Sequence, residues 1–207
     1  MTPTYMQVIK VLPLGAASNS YILTADGKTA VAVDPSGQTV LDVLEKHGLE
    51  CKDVLLTHGH FDHVGACGKL FKLGARIRCA EREKDLIFSK EYLAIFGGVT
   101  VPHFEIAETF KDGEEVTLCG INLKVLETAG HTAGSCCYLA EKFLFSGDTL
   151  FYGSVGRWDL PTGNFSQLLK SLQKLAALDG DYKIYCGHGE VTTLSRERAY
   201  NPYLRYN

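Results

Sequence analysis

Short apolar segments separated by turn residues open the chain, and their spacing predicts strands. Residues 38–47 instead repeat apolar positions at helical spacing and end at Gly48, which predicts a helix. The turn signal Asp26-Gly27-Lys28 lies between the second and third of these opening strands, so the chain is expected to begin as a β-meander. The three strands are predicted at 5–11, 20–25 and 29–34.

The rest of the chain alternates between strand-like and helix-like patterns. Helices are predicted at 63–73, 81–96, 164–176 and 194–200. Strands are predicted at 54–56, 75–79, 114–118, 121–127, 136–140, 142–146 and 182–186. Strands outnumber helices, yet helices follow groups of strands in both halves. This order favours an α/β fold in which two sheets pack together and helices cover their outer faces.

Composition narrows the class of protein. The 207 residues are 45% hydrophobic and 22% charged, with no linker-like stretch, which predicts a single globular domain over 1–207. The net charge of -3 comes from interspersed signs and leaves no basic face for nucleic acid. No secretory signal and no membrane-spanning run is apparent, so we expect a cytoplasmic protein without a membrane partner. Nothing in the residues predicts an oligomeric state.

Seven cysteines form no CxxC pair, which argues against both a disulfide framework and a thiolate zinc site. Free cysteines of this kind are usually small buried hydrophobes, and a catalytic thiol is the less favoured alternative.

Four side chains that commonly bind metals stand within six residues, directly after the strand at 54–56. They are His58, His60, Asp62 and His63 in the run Thr57-His58-Gly59-His60-Phe61-Asp62-His63. An extended chain sends alternate side chains to one face, so His58 and His60 can bind one ion together. Asp62 and His63 follow where the chain bends, and such a pair can face a neighbouring ion. A solvated turn with unrelated histidines is the alternative, which this density of ligands disfavours.

Three further candidates, His131, Asp148 and His188, each follow a glycine near the end of a predicted strand. A single His or Asp after Gly is more often a turn residue. Together with the cluster at 58–63, however, three such residues indicate loops that complete a metal site on a sheet scaffold. His47 and His103 are not assigned to the site.

The motifs HGHFDH, AGHT, SGDT and CGHG, in this order and at these separations, resemble those of the metallo-β-lactamase superfamily. Within it the pattern is similar to glyoxalase II (hydroxyacylglutathione hydrolase), above all to its short bacterial forms, which share Gly156-Arg157-Trp158-Asp159 and the terminal GHGEVTTLSRERAYNPYL. The resemblance implies an αββα sandwich of two mixed β-sheets with helices on both outer faces. It also implies two divalent metal ions at one edge of the sheets.

The same resemblance implies a ligand set for each ion. The first ion would be bound by His58, His60 and His131, and the second by Asp62, His63 and His188. Asp148 would bridge them. Asp62 and Asp148 are therefore the two ligands that are also expected to be catalytic residues. Nitrogen and oxygen donors without sulfur suit zinc, which we favour, and also iron or manganese.

Asp34, in Val33-Asp34-Pro35, matches a family acid that lies behind the ligands. An acid opening an ordinary turn with Pro35 is an equally good interpretation. Arg157 is the candidate for binding an acidic group of a small-molecule substrate, because a guanidinium binds a carboxylate through two hydrogen bonds. A structural ion pair with Asp159 is the alternative.

The resemblance implies hydrolysis of a thioester of the S-lactoylglutathione type, and two ions in such a site could supply the attacking hydroxide. Weak recognition of glutathione itself is expected, because the sequence stops before the C-terminal helical domain of longer glyoxalase II enzymes. The rival interpretation is a single-iron persulfide dioxygenase of the same fold, with ligands matching His58, His131 and Asp148. A third interpretation is a metal-binding sensor that catalyses no reaction. It is disfavoured because metal-binding residues occupy all seven ligand positions.

Overall fold

Two six-stranded mixed β-sheets form the body of the protein in the computed structural model, which describes residues 6–15, 17–89 and 100–205. The first sheet has its strands in chain order. Its first two neighbouring pairs are antiparallel, and the remaining three pairs are parallel. The strands are β1 (Gln7–Val11), β2 (Ser20–Thr24), β3 (Thr29–Val33), β4 (Glu50–Leu55), β5 (Arg76–Ala80) and β6 (Ile106–Phe110).

The second sheet has the order β14-β13-β10-β9-β8-β7. All its neighbouring pairs are antiparallel except β10 and β13, which run parallel. Its strands are β7 (Glu115–Leu118), β8 (Ile121–Glu127), β9 (Cys136–Ala140), β10 (Phe143–Gly147), β13 (Lys183–Cys186) and β14 (Thr192–Thr193). A small antiparallel hairpin, β11 (Leu150–Phe151) and β12 (Ser154–Val155), follows β10.

Apolar side chains from both sheets meet in a central core. Leu23, Val31 and Leu55 of the first sheet belong to one buried cluster with Val125 and Phe145 of the second. A hydrogen bond also joins the sheets here, because the buried Tyr138 hydroxyl donates to the carbonyl oxygen of Leu56 over 2.8 Å. Alternate residues of each strand face this core, which is the pattern expected for two sheets packed face to face.

Helices cover the outer face of each sheet. Val40 of α1 (Gln38–His47) and Leu70 of α2 (Cys67–Lys72) pack on the first sheet, and the short α3 (Lys84–Ile87) contributes Ile87 to the same cluster. The helix α4 (Phe165–Ala176) buries one leucine face on the second sheet, and α5 (Leu194–Tyr200) adds Leu194. The structure is therefore an α/β sandwich with helices on both outer faces, which confirms the predicted fold. Among the residues described, no helix has the length and apolarity needed to cross a membrane.

Several element boundaries differ from the sequence prediction. β4 begins at Glu50 and not at residue 54. The prediction missed its first residues because Asp53, which is buried beside Arg78, interrupts the apolar pattern with a charge. The helix expected at 63–73 is a 3-10 turn (Phe61–His63) followed by α2. β6 was not predicted at all. The part of the predicted helix 81–96 beyond residue 89 lies outside the described residues.

The leucine face of α4 allows a test of this packing. Leu172 is fully buried in the cluster between α4 and the second sheet, whereas Lys170 of the same helix is exposed. Leu172→Ala should lower the free energy of unfolding by about 2–5 kcal/mol, because it leaves a cavity. Lys170→Ala should change it by less than about 0.5 kcal/mol. Denaturant titration of both variants measures this, and similar values for the two would contradict the assigned burial.

Candidate metal centre

The candidate ligands all follow the carboxyl ends of strands, where the edges of the two sheets meet. His58, His60, Asp62 and His63 follow β4 of the first sheet. The loops after β8, β10 and β13 of the second sheet carry His131, Asp148 and His188, respectively. Because these strands point the same way within each sheet, their loops converge at one edge. The structure thus brings together all seven residues that the sequence singled out as ligands.

One group, termed here the first set, consists of His58, His60 and His131. All three are buried. The Nε2 atom of His131 lies 2.8 Å from Nδ1 of His60 and 3.2 Å from Nε2 of His58. Two nitrogens that bind one zinc ion tetrahedrally lie about 3.3 Å apart. The three nitrogens are therefore spaced closely enough to bind one ion.

The second set consists of Asp62, His63 and His188. The Oδ2 atom of Asp62 lies 3.2 Å from Nε2 of His188 and 3.7 Å from Nε2 of His63. His63 is fully buried, whereas the side chain of His188 is 40% exposed. The second set is therefore the more accessible of the two.

Asp148 lies between the two sets. Its Oδ2 atom is 3.5 Å from Nε2 of His131 and also 3.5 Å from Nε2 of His188. Its Oδ1 atom is 3.4 Å from Nε2 of His63. One carboxylate thus faces nitrogens of both sets, as a bridging ligand would.

Hydrogen bonds behind the ligands fix which ring nitrogens face the centre. The Thr57 hydroxyl donates to Asp34 Oδ2 over 2.7 Å, so it can only accept a hydrogen bond from Nδ1–H of His58 at 3.1 Å. Nδ1–H of His63 donates to the same Asp34 oxygen over 2.9 Å. The Nε2 lone pairs of both histidines are consequently directed into the centre. This is how metal-binding imidazoles are usually oriented.

Asp34 is therefore not merely a turn residue, since it is hydrogen-bonded to His63 directly and to His58 through Thr57. It is buried, and its carboxylate also accepts the backbone N–H of Thr57. Thr57 was not among the residues singled out from the sequence. Its place directly before the first histidine of the cluster is the only sequence signal that could have indicated it.

Arg157 contributes to the centre through its backbone. Its carbonyl oxygen accepts Nδ1–H of His131 over 2.6 Å, which leaves Nε2 of that ring for the centre. Its guanidinium forms two hydrogen bonds with Asp159, at 2.8 and 2.9 Å, and both side chains are exposed. The ion pair considered from the sequence is thus present, and Arg157 is also among the residues that line the cleft above the ligands.

Burial and neighbouring charges separate the two sets electrostatically. Burial and the nearby His131 lower the pKa of His60 to about 3, and burial lowers the pKa of His58 and of His131. Burial also opposes protonation of His63, but the carboxylates of Asp148 and Asp62 outweigh it and raise the pKa. The hydrogen bond with Asp62 raises the pKa of His188. The histidines of the first set are therefore unprotonated near pH 7, whereas the carboxylates beside the second set attract positive charge, either a proton or a metal ion.

The donor chemistry of the centre fits metal ions. Within the described part of the chain, Nε2 of His63 and Oδ1 of Asp148 are buried and have no hydrogen-bond partner. Buried polar atoms are rarely left in this state unless something else satisfies them. Imidazole nitrogens and carboxylate oxygens together suit divalent zinc, iron or manganese.

A cleft of about 290 Å³ opens above the ligands. Its wall is mainly apolar and is formed by Phe61, Phe151 and Leu160, with Arg157 as the cationic residue that lines it. The sequence did not single out the three apolar residues, since isolated aromatic and aliphatic residues in loops carry no signal of their own.

Glycine is required beside the ligands for steric reasons. A Cβ atom on Gly187 would lie 2.1 Å from Oδ1 of Asp148 and 2.8 Å from Cε1 of His63. The glycine directly before His188 therefore gives the other ligands room to approach.

Comparison with known proteins agrees with this geometry. Residues 14–188 match the family model described as the Metallo-beta-lactamase superfamily. A hydroxyacylglutathione hydrolase, GloC, of Haemophilus influenzae is 34% identical over 206 residues, covering 95% of this chain and 97% of that protein.

Solved structures share the fold along nearly the whole chain. The BLEG-1 B3 metallo-beta-lactamase superposes with a TM-score of 0.87 at 31% identity, over 97% of this chain and all of that one. TTHA1623 in a di-iron-bound form gives 0.83 at 32% identity, over 95% and 100%. ETHE1 from Myxococcus xanthus gives 0.78 at 26% identity, over 95% and 83%.

The opposite pKa shifts of the two sets predict a pH dependence of metal binding. The second set must lose protons from His63 and His188 to bind an ion, whereas the first set has none to lose near neutral pH. Lowering the pH from about 8 to about 6 should therefore release the second-set ion first, because protons compete with it there.

Metal content per chain after dialysis at each pH measures this release. The ion that leaves first should be missing from a His188→Ala variant at every pH. Simultaneous loss of both ions, or earlier loss from the first set, would show that the two sets do not differ in this way.

Proposed function

This chain belongs to the metallo-β-lactamase superfamily, with relatives named as hydrolases, and on that premise we propose that it is a dinuclear metal-dependent thioester hydrolase. The observation that carries the proposal is the position of Asp148, whose oxygens lie 3.4 to 3.5 Å from His63, His131 and His188. A carboxylate shared in this way supports two ions close together. We favour zinc, and the di-iron form of TTHA1623 makes iron the main alternative.

Two divalent cations bound there would supply Lewis-acid activation of a water molecule and would polarise the substrate carbonyl. The protein's own contribution is orientation. Asp34 and Thr57 hold the imidazoles of His58 and His63 in the tautomer that directs Nε2 inward. Asp62 keeps an oxygen at the cleft, where it can accept a hydrogen bond from the attacking water. The carboxylates of Asp62, as the acceptor for water, and of Asp148, as the shared ligand, are therefore the proposed catalytic groups.

The cleft supports a small acyl substrate. Its volume is at the low end for small-molecule sites, and Phe61, Phe151 and Leu160 give it an apolar wall against which an acyl chain can pack. Arg157 borders the cleft and can bind an acidic group at the other end of the substrate. A thioester is favoured because GloC, with 34% identity over most of both chains, is named a hydroxyacylglutathione hydrolase.

A persulfide dioxygenase with a single iron is the alternative, and the similarity to ETHE1 from Myxococcus xanthus is the observation that favours it. Such an enzyme would use His58, His131 and Asp148. The presence of a second set, with Asp62 only 3.2 Å from His188, favours the dinuclear hydrolase.

The bridging position of Asp148 can be tested by substitution. Asp148→Asn should lower thioester hydrolysis by about 100-fold or more, since it weakens a ligand shared by both ions. The wild-type protein should contain two metal ions per chain by elemental analysis. Asp179→Asn, an exposed change of the same chemistry, should leave both the rate and the metal content unchanged.

A single iron per chain, together with oxygen consumption when glutathione persulfide is added, would contradict the hydrolase and support the dioxygenase. Near-normal hydrolysis by Asp148→Asn would instead show that this carboxylate does not bridge.

Arg157 can be tested with a pair of substrates. Arg157→Ala should raise KM about tenfold for an acidic thioester and leave a neutral one unaffected, because only the acidic substrate loses a charged hydrogen bond. Asp159→Ala, which frees the guanidinium, should not raise KM for either substrate. Equal losses on both substrates, with a lower melting temperature, would assign Arg157 a purely structural role.

A further inference from the structure

Glu83 is a buried acid that neither ligand set includes. It ends the 3-10 turn Glu81–Glu83, which follows β5, and its side chain is 1% exposed. A carboxyl group buried so completely costs free energy unless its oxygens are well satisfied. Burial accordingly raises the pKa of Glu83 to about 7, against the opposing effect of its hydrogen bonds.

The two oxygens of Glu83 bind two different loops of the metal centre. Oε1 accepts the backbone N–H of Gly59 over 2.6 Å, between His58 and His60. Oε2 accepts the Thr132 hydroxyl over 2.8 Å, directly after His131. One side chain therefore connects the loop of the first sheet that carries two first-set histidines with the loop of the second sheet that carries the third.

The glycines of both loops show how closely the segment around Glu83 packs. A Cβ atom on Gly59 would lie 2.5 Å from Cγ1 of Ile87 and 3.2 Å from Oε1 of Glu83. A Cβ atom on Gly134 would lie 2.4 Å from the backbone nitrogen of Glu83 and 2.6 Å from its Oε2 atom. Neither loop can carry a side chain at these points, so both loops rest directly on this segment.

We propose that Glu83 is a positioning residue for the first metal ion, which sets the separation between the loop of His58 and His60 and the loop of His131. The proposal rests on the metal centre described above. Among the described residues, the side-chain hydrogen bonds of Glu83 join the loops after β4 and β8, and none reaches the loop after β13 that carries His188 of the second set. Loss of Glu83 should consequently affect one ion and not the other.

Binding of Zn²⁺, measured by competition with a chromophoric chelator, tests this in two backgrounds. In a His188→Ala background the remaining complete site is the first set, and Glu83→Ala should lower its affinity about 10–100-fold. In a His60→Ala background the remaining complete site is the second set. There the same substitution should change the affinity by less than about twofold, because Glu83 does not hold the loop of His188 against the loop of Asp62 and His63.

Two further variants keep the test decisive. Glu81→Gln alters an exposed acid of the same turn and should change neither affinity. Glu83→Gln keeps the size of the side chain, and its amide can accept the N–H of Gly59 and donate to the Thr132 hydroxyl, so it can still join the two loops. It should fold as well as wild type, by circular dichroism, and bind the first-set ion more tightly than Glu83→Ala does.

Equal weakening in both backgrounds, or unchanged affinity with a lower melting temperature, would overturn the proposal and make Glu83 a general stabilising residue. These readings do not depend on turnover. If the wild-type protein lacked thioesterase activity, the proposed function would fail while the comparison of the two backgrounds would still decide the role of Glu83.

Discussion

The buried carboxylate of Asp34 joins the ends of two neighbouring parallel strands. It also holds two imidazole rings, that of His63 directly and that of His58 through Thr57. Asp34 follows β3, accepts the N–H and hydroxyl of Thr57 after β4, and accepts Nδ1–H of His63. Its own N–H donates to Leu55, and its backbone has a left-handed φ of 49°, which is unfavourable for a residue with a side chain. Such strain persists only where surrounding contacts enforce it. The ring orientations of His58 and His63, and so the direction of their lone pairs, depend on this acid.

The layers of the fold could be predicted from the sequence because each layer buries one regular face. β4 was predicted only in part and β6 not at all, for different reasons. Arg78 of β5 and Asp53 of β4 are both buried and form an ion pair, so charged residues occupy positions that a strand pattern normally fills with apolar ones. The neighbouring strand neutralises the charge of Asp53, and that neighbour cannot be identified from local spacing. β6 lies at the edge of its sheet and buries only Phe110, so it has no regular apolar face.

The ligands could be found from the sequence because metal-binding side chains are rare and were concentrated at strand ends. The residues that orient them could not, since Thr57 and Glu83 are ordinary residue types whose roles arise from contacts between distant segments. Glu83 stands in the run Glu81-Arg82-Glu83-Lys84-Asp85, whose composition is typical of a solvated surface. Its burial follows from the loops after β4 and β8 closing over it, which no pattern within that run indicates.

Each ligand set takes residues from both sheets, and this has a mechanical consequence. His58 and His60 belong to a loop of the first sheet and His131 to one of the second, and Asp62 and His63 are divided from His188 in the same way. An ion in either set would be a reversible cross-link across the open edge of the sandwich. The resistance of the two sheets to separation would then rise with the free concentration of metal, since a ligand bound only by the folded state stabilises it by mass action.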